Sequence, residues 1–345
     1  MVERDIVVIG GSAGGIKAIR GLLAKLPETA PTAMFLVLHT SVHSPGLLPD
    51  LLTVPGAPPV RYAKNGERFE RGVVYVAPPD LHLLIEADQQ IRLAFGPKEN
   101  RFRPAVDPLF RSAALAFGPR VAGVIVSGGL DDGTAGLSAI KAAGGLTIVQ
   151  DPLEAEAPSM PQSALRHVGI DHCLPVEGIA GLLLRLAAGA ENVATPPTAT
   201  RAQPDRRLEI EVQVAKENRG HIADVAELGA PSMYTCPECH GTLLRLEDEN
   251  LLRFRCHTGH AFTARHLLGA LTERTEDALW SAVRAIEESA MLLAHMAEHI
   301  VPHDDGGLAR EFRQSSQEEL RRAHAVRALI PQTAAVPEEL AKKVS

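Results

Sequence analysis

Near its start the chain reads Ile6-Val7-Val8-Ile9-Gly10-Gly11-Ser12-Ala13-Gly14-Gly15, an apolar β-branched run followed by a glycine-rich turn and a segment of helical composition. A dinucleotide-binding turn would need glycine in place of Ser12, and a phosphate-binding loop would need lysine in place of Ile16. The pattern Gly-x-Ser-x-Gly over residues 10–14 instead predicts a serine nucleophile on a tight strand-to-helix turn, with helix N–H groups nearby for an oxyanion. A serine that merely caps the helix is the alternative.

Apolar runs of strand length alternate with segments of helical length as far as about Leu186. The predicted elements are strands at Ile6–Ile9, Ala33–Leu38, Val121–Val126 and Leu146–Val149, with helices at Gly14–Lys25 and Ala135–Ala143 among them. The strands are continuously apolar, which is typical of strands buried on both faces. The fold class predicted for residues 1–186 is therefore α/β, with a parallel sheet wrapped by helices.

Polar side chains also follow two of the other predicted strands named above. His39 comes directly after Phe35–Leu38, and Asp132 lies in the loop Ser127–Gly136, which follows Val121–Val126. Each has an ordinary explanation, a packed histidine in one case and a helix-capping aspartate in the other. Because ligands bind at the carboxyl ends of parallel strands, however, Ser12 and these two residues are expected at one edge of the sheet. A nucleophile, a base and an acid are the set that a serine hydrolase needs.

These residues resemble the catalytic domain of the chemotaxis protein-glutamate methylesterases, the CheB family. The resemblance runs from about Asp5 to Leu186 and rests on separate motifs in the family's order: Gly10–Gly15, Leu38-His39, Arg103–Ala114, Ser127–Gly136 and Met160-Pro161. It implies a doubly wound, mostly parallel sheet. It also implies that Ser12 is the nucleophile and His39 the general base. In this family pattern Asp132 orients the base, and Asp131 falls at a variable position.

The resemblance implies hydrolysis of glutamate γ-methyl esters on chemoreceptors or related signalling proteins, together with deamidation of glutamines, in chemotaxis-type signal transduction. Catalysis would need no metal or organic cofactor. Ile6–Ile9 already belongs to the similar region, so we expect no preceding phosphate-receiver domain. Gly129-Leu130 departs from the family's common Thr-Gly-Met-Gly loop. The alternative function is that of a catalytically weak or inactive regulatory module that acts through the C-terminal region.

Three of the four cysteines lie close together in the C-terminal part. Cys236-Pro237-Glu238-Cys239 is followed by Cys256-His257-Thr258-Gly259-His260, a spacing close to that of paired zinc knuckles. Three thiolates leave one ligand of a tetrahedral zinc site to either His257 or His260. Zinc-ribbon tails of CheB-like proteins without a receiver resemble this pattern and favour His260. We therefore predict a structural zinc site, with surface thiols in a small hairpin as the alternative.

The rest of the C-terminal part divides into three predicted segments. Residues 187–207 are rich in Ala, Thr and Pro and predict a linker. Leu208, Ile210, Val212 and Val214 alternate with polar residues, which predicts a strand at the start of a zinc-ribbon module over residues 208–262. Residues 263–345 carry two helical patterns and predict a helical hairpin whose apolar stripe packs internally or forms a homodimer seam. The Asp107-Pro108 step is expected to open a helix, with Asp107 as its cap.

Composition limits the remaining classes of function. The 345 residues are 45% hydrophobic and 22% charged, a balance typical of globular proteins rather than disordered chains. The formal net charge of −7 argues against a general nucleic-acid-binding protein. Neither a membrane-spanning run nor a basic signal-peptide region is apparent, so the expected location is the cytoplasm and no membrane insertion is expected.

Overall fold

The computed structural model describes residues 4–187, 205–216, 222–246, 251–300 and 307–330. These residues form two compact units, and the boundary between them lies between His266 and Leu267. The elements of the region up to Ala187 are β1 Ile6–Gly11, α1 Gly15–Leu23, β2 Ala33–Leu38, α2 Leu48–Leu52, β3 Val60–Tyr62, β4 Val74–Val76, β5 His82–Ile85, β6 Ile91–Ala94, α3 Val106–Phe117, β7 Val121–Ile125, α4 Thr134–Ala142, β8 Leu146–Gln150, α5 Ser159–His167, β9 His172–Leu174 and α6 Val176–Ala187.

Within the described residues, seven strands form one sheet in the order β3-β4-β2-β1-β7-β8-β9. All neighbouring pairs in this sheet are parallel. Val7 and Ile9 of β1 pack into the apolar core on one face, whereas Ile6 and Val8 pack into the core on the other. The continuous apolar runs arise because helices cover both faces of the sheet, so the predicted doubly wound α/β fold is confirmed.

The C-terminal elements are α7 Arg206–Lys216, α8 Ile222–Ala226, β10 Gly229–Thr235, β11 Thr242–Leu246, β12 Arg253–Cys256, β13 Ala261–Thr263, α9 Ala264–Ile300 and α10 Gly307–Arg327. Among the described residues, β10 to β13 form an antiparallel sheet in chain order. Everything up to His266 belongs to the same compact unit as the parallel sheet. The predicted linker lies almost entirely outside the described residues.

The strand predicted over residues 208–214 is wrong, because these residues lie in the helix α7. Ile210 and Val214, four residues apart, pack in an apolar cluster with residues of α8 and β11. Val212 instead packs in a second cluster with Leu84 of β5 and Ala94 of β6. Burial on two sides of one helix produces the alternation that a half-exposed strand would also show.

In the unit from Leu267 onwards, α9 and α10 are antiparallel neighbours. From Val283 onwards, the buried residues of the two helices recur every seven positions and are mostly small: Val283, Ala290 and Ala297 on α9, and Ala309, Ser316 and Ala323 on α10. Ser316 Oγ donates to the Ala290 carbonyl at 2.8 Å, and Arg327 pairs with Glu287 at 2.7 Å. A seven-residue repeat is typical of helices that pack along a coiled-coil seam. None of the described helices is both long and apolar enough to cross a membrane.

Candidate active site

Three loops meet at the carboxyl end of the parallel sheet. The chain leaves β1 towards β2 on one side, while β7 pairs with β1 on the other, so the strand order reverses at β1. Ser12 N donates to the Ser127 carbonyl at 2.9 Å, and His39 N donates to the Gly11 carbonyl at 3.3 Å. Hydrogen bonds therefore tie the loops after β1, β2 and β7 together at the place where open α/β sheets bind ligands.

Larger residues have no room at two positions near Ser12, one in the turn that carries Ser12 and one in the loop after β7. Gly14 has a φ of 73°, and a Cβ there would lie 2.5 Å from Ser127 Oγ. A Cβ on Gly128 would lie 2.0 Å from Met160 Sδ and 3.1 Å from Ser12 Cβ. The glycines thus allow the loop after β7 to approach Ser12 closely.

Ser12 is half-buried and lines a surface cleft. The cleft has a volume of about 590 Å³ and is lined by Ser12, Ala13, Gly14, Ile16, Lys17, Arg20 and Glu156. A side chain that reached the cleft from solvent would therefore meet the Ser12 turn directly.

His39 and Asp132 form a hydrogen-bonded pair beside this turn. The distance from His39 Nε2 to Asp132 Oδ2 is 2.7 Å, and the side chains are 4% and 0% exposed. Asp132 also accepts hydrogen bonds from Val106 N at 2.7 Å and from Asn100 Nδ2 at 2.9 Å. Burial acts in the opposite direction, but the hydrogen bond with His39 and its charge, helped by these donors, hold the pKa of Asp132 well below its usual range. An ionised Asp132 only accepts, so His39 Nε2 donates and Asp132 does not engage the other ring nitrogen of His39.

Phe102 fixes the plane of the histidine ring. Its ring stacks on His39 with centroids 3.7 Å apart and an interplanar angle of 7°. No sequence pattern indicated a role for Phe102, although it lies next to the motif that begins at Arg103. A stacked ring restricts rotation of His39, so the histidine is held in the orientation that faces Asp132.

Asn100 connects Asp132 with a second buried carboxyl group. Its Nδ2 donates to Asp107 Oδ2 at 3.1 Å as well as to Asp132 Oδ1. Burial, followed by the charge of Asp132, raises the pKa of Asp107 to about 8. Asp107 does not cap α3 as predicted, because the helix begins at Val106 with Ala105 as its N-cap residue. The Asp107 side chain instead accepts from Gly136 N at 2.7 Å and so joins α3 to α4.

Asp131, the neighbour of Asp132, makes its contacts with the C-terminal segment. Thr263 Oγ1 donates to Asp131 Oδ1 at 2.8 Å, and His266 Nδ1 lies 2.7 Å from the same oxygen. The family resemblance assigns Asp131 only to a variable position. Because its partners are more than 130 positions away along the chain, no local sequence pattern predicts these contacts.

The four predicted metal ligands lie together at one end of the antiparallel sheet. Their ligand atoms, from Cys236, Cys239, Cys256 and His260, all lie within 4.8 Å of one another. The Sγ atoms of Cys239 and Cys256 are 3.6 Å apart, and His260 Nδ1 is 3.6 Å from Cys256 Sγ. Tetrahedral zinc with Zn–S bonds of about 2.3 Å would separate two sulfurs by about 3.8 Å, so the side chains fit such an ion. His257 lies beside Gly241 instead, outside this group.

Residues 7–183 match the profile of the CheB methylesterase family. This match covers just over half of the chain. The chain belongs to the CheB methylesterase family. The Cys/His group, β13 and His266 all lie beyond the matched residues.

Relatives with assigned names agree with the family match. A Leptospira interrogans protein is 40% identical over 186 residues, which are 53% of this chain and 94% of that protein. That protein is provisionally named a protein-glutamate methylesterase/protein-glutamine glutaminase. The protein-glutamate methylesterase/protein-glutamine glutaminase of Clostridium acetobutylicum is 32% identical and is matched over 54% of this chain and 54% of its own length. These names support the same enzyme activity for this chain.

A solved structure supports the same fold. The crystal structure of the Thermotoga maritima CheB methylesterase catalytic domain is 32% identical in sequence, with a TM-score of 0.51. The similarity covers 54% of this chain and 100% of the Thermotoga chain. The doubly wound sheet is therefore shared with a catalytic domain of this family.

Proposed function

We propose that this chain is a serine hydrolase that removes methyl esters from glutamate side chains of chemoreceptors or related signalling proteins. Glutamine deamidation would be a second reaction of the same site. The single observation that carries the proposal is the buried His39–Asp132 pair beside the turn of Ser12. Family membership and the names of the relatives support the choice of a carboxylic ester as substrate.

In the proposed mechanism Ser12 attacks the ester carbonyl. The Ser12 Oγ–carbon bond forms while the ring nitrogen of His39 that does not face Asp132 takes the hydroxyl proton. Backbone N–H groups of the Ser12 turn, at the N-terminal end of α1, stabilise the negative oxygen of the tetrahedral intermediate. Asp132 stabilises the protonated imidazole and keeps its ring oriented.

The intermediate collapses when His39 gives its proton to the departing oxygen, and methanol leaves. Water then attacks the acyl-enzyme with His39 as the base, and the glutamate carboxylate is released as Ser12 regains its proton. A glutamine side chain would follow the same path with ammonia as the leaving group. None of these steps requires a metal or an organic cofactor.

The test is methanol release from a synthetic peptide that carries one glutamate γ-methyl ester. We expect Ser12→Ala to lower kcat by about 10⁴-fold or more, because the nucleophile and its base act as a unit. Ser289→Ala, an exposed serine on α9, is the matched control and should leave kcat unchanged. Normal turnover by Ser12→Ala would refute the proposal. A folded wild-type protein that never releases methanol would instead indicate the regulatory module considered above.

We also propose that Cys236, Cys239, Cys256 and His260 hold one structural zinc ion. When bound, the ion would join the turn after β10 to the turn between β12 and β13, which supports the sheet without taking part in hydrolysis. X-ray absorption of the zinc-loaded protein should show three sulfur ligands and one nitrogen ligand. Cys239→Ser should lower the bound zinc well below one ion per chain, whereas Cys173→Ser, at an exposed cysteine, should not. Equal zinc content in the two variants would contradict this site.

A further inference from the structure

The sheet that carries the Cys/His group contacts the side chain that holds the catalytic aspartate. Asn100 N donates to the Ala261 carbonyl at 2.8 Å, and Thr263 N donates to Asn100 Oδ1 at 2.9 Å. Strand β13 thus binds both the backbone and the side-chain oxygen of Asn100. Because the oxygen of the amide is fixed in this way, its Nδ2 is directed to Asp132 and Asp107.

We call the two hydrogen bonds between β13 and Asn100 the clamp. Only one peptide bond separates the clamp from the Cys/His group. His260 directly precedes Ala261, and its carbonyl accepts a hydrogen bond from Cys256 N at 3.0 Å. The carbonyl of the preceding residue, Gly259, accepts a hydrogen bond from Arg255 Nη1 at 2.7 Å. The end of β12 and the turn that follows it therefore contain two of the four proposed ligands, and the turn leads directly into the clamp on Asn100.

A buried group of charges fixes the same strands to the parallel-sheet region. Arg255 is fully buried and pairs with Glu99 at 3.0 Å and with Glu211 of α7 at 2.9 Å. Glu99 also pairs with Arg111 of α3, and Glu211 also pairs with Arg253. Because Glu99 directly precedes Asn100, displacement of β12 would move the residue next to the clamp.

We propose that metal binding at the Cys/His group controls the rate of ester hydrolysis through β13 and the positioning residue Asn100. With metal bound, the turn after β12 holds β13 against Asn100, which directs Asp132 towards His39. Without metal, four ligand side chains lose the ion that joins them, and the clamp on Asn100 loosens. Strand β13 thereby holds Asp132 in position through Asn100. This inference rests on the proposed function of Ser12, His39 and Asp132.

A misplaced acid should lower the rate of the chemical step rather than substrate binding. We therefore expect removal of zinc from the full-length protein by a chelator to lower kcat for the methyl-ester peptide by about 10- to 100-fold while KM changes less than about twofold. Addition of one equivalent of zinc should restore kcat. An unchanged kcat in protein shown to contain no zinc would overturn the inference.

The variant Asn100→Gly separates positioning from general loss of structure. Asn100 has a φ of 51°, which glycine adopts without strain, so the substitution removes the amide and keeps the backbone. Zinc-loaded Asn100→Gly should show the same loss of kcat as the zinc-free wild type, and zinc removal from this variant should cost less than about threefold more. Asn65→Gly, the same change in an exposed turn, is the matched control and should respond to zinc as the wild type does. Independent, additive losses would contradict a shared path.

A second measurement does not depend on turnover. The proton that His39 Nε2 donates to Asp132 should give a downfield ¹H NMR resonance in the zinc-loaded protein, and this resonance should disappear or shift when zinc is removed. An unchanged resonance would overturn the inference even if the kcat of the protein fell. If zinc-loaded wild-type protein shows the resonance but releases no methanol, the proposed function fails, while the effect of zinc on the resonance still decides the positioning.

Discussion

Two consecutive aspartates, Asp131 and Asp132, each pair with a histidine, but the two histidines come from different regions of the chain. Asp132 pairs with His39 at the carboxyl end of the parallel sheet, inside the region that matches the family. Asp131 pairs with His266, at the start of α9 and outside that region. Phe102 contacts both rings, stacked on His39 and edge-on to His266.

The two histidines differ in what their second nitrogen can do. His266 Nε2 is buried and has no hydrogen-bond partner among the described residues. His39 lies beside the turn of Ser12, which lines the open cleft. An Asp–His pair alone therefore does not identify a catalytic site. In our proposal the His39–Asp132 pair supports proton transfer, whereas the His266–Asp131 pair joins the start of α9 to the loop Ser127–Gly136.

The largest expected effect separates the two aspartates directly. Asp132→Asn should lower kcat for the methyl-ester peptide by about 10³- to 10⁴-fold, because the amide no longer stabilises a protonated His39. Asp131→Asn should lower kcat by less than about tenfold, since the backbone contacts of β13 remain. Steady-state kinetics of the two variants test this. Equal losses would mean that both pairs take part in the chemistry.

The next largest effect is expected on the free energy of unfolding, at the buried charges of β12. Arg255→Met should lower the free energy of unfolding by about 3 kcal/mol, because it leaves Glu99 and Glu211 buried with fewer partners. Arg284→Met, at an exposed position of α9, should change it by less than about 0.5 kcal/mol. Denaturant unfolding measures both. A stable Arg255→Met variant would show that the buried charges do not hold the C-terminal strands in place.

The pH dependence of the unfolding free energy tests the carboxyl group of Asp107, which Asn100 connects with Asp132. The pKa of Asp107 is raised from 3.8 to about 8, so the folded protein binds this proton more tightly than the unfolded chain does. Its stabilising contribution is fully present below about pH 3.8 and is lost as the pH rises through about 8. The unfolding free energy of Asp107→Asn, measured over this range, should lack that decline. Parallel pH profiles for the variant and the wild type would contradict the raised pKa.

The smallest effect is expected just before the two aspartates. A Cβ on Gly129 would meet no atom within 4 Å, so Gly129→Met, which restores the family's common residue, should leave kcat within about twofold. Gly128→Ala should lower kcat clearly, because its Cβ would press on Met160 and Ser12. The same kinetic assay compares these adjacent positions. A large loss in Gly129→Met would mean that this part of the loop contacts the substrate.

The sequence predicts the placement of Ser12, His39 and Asp132 far better than the contacts of the C-terminal strands. Ser12, His39 and Asp132 could be placed together because parallel strands end at one edge of a sheet, whatever their side chains contact. Asn100, Phe102 and His266 were missed because tertiary docking alone determines their partners. The helix α7 was mistaken for a strand for the same reason, since contacts on two sides override the local pattern.

The Cys/His spacing predicted that these four side chains lie together, but it did not predict that the following strand β13 contacts Asn100. One usable signal was present. Arg253 and Arg255 alternate with Phe254 and Cys256 in a short strand, and charged residues at such positions must find buried partners if both faces of the strand are covered.

The most direct test of the account is covalent labelling of Ser12 in the full-length protein by a fluorophosphonate, followed by peptide mapping. The account predicts that Ser12 is the labelled residue and that Asp131→Asn is labelled within about tenfold of the wild-type rate. Labelling of Asp132→Asn should be at least about 100-fold slower. A wild-type protein that is not labelled at Ser12, or an Asp132→Asn variant labelled as fast as the wild type, would contradict it.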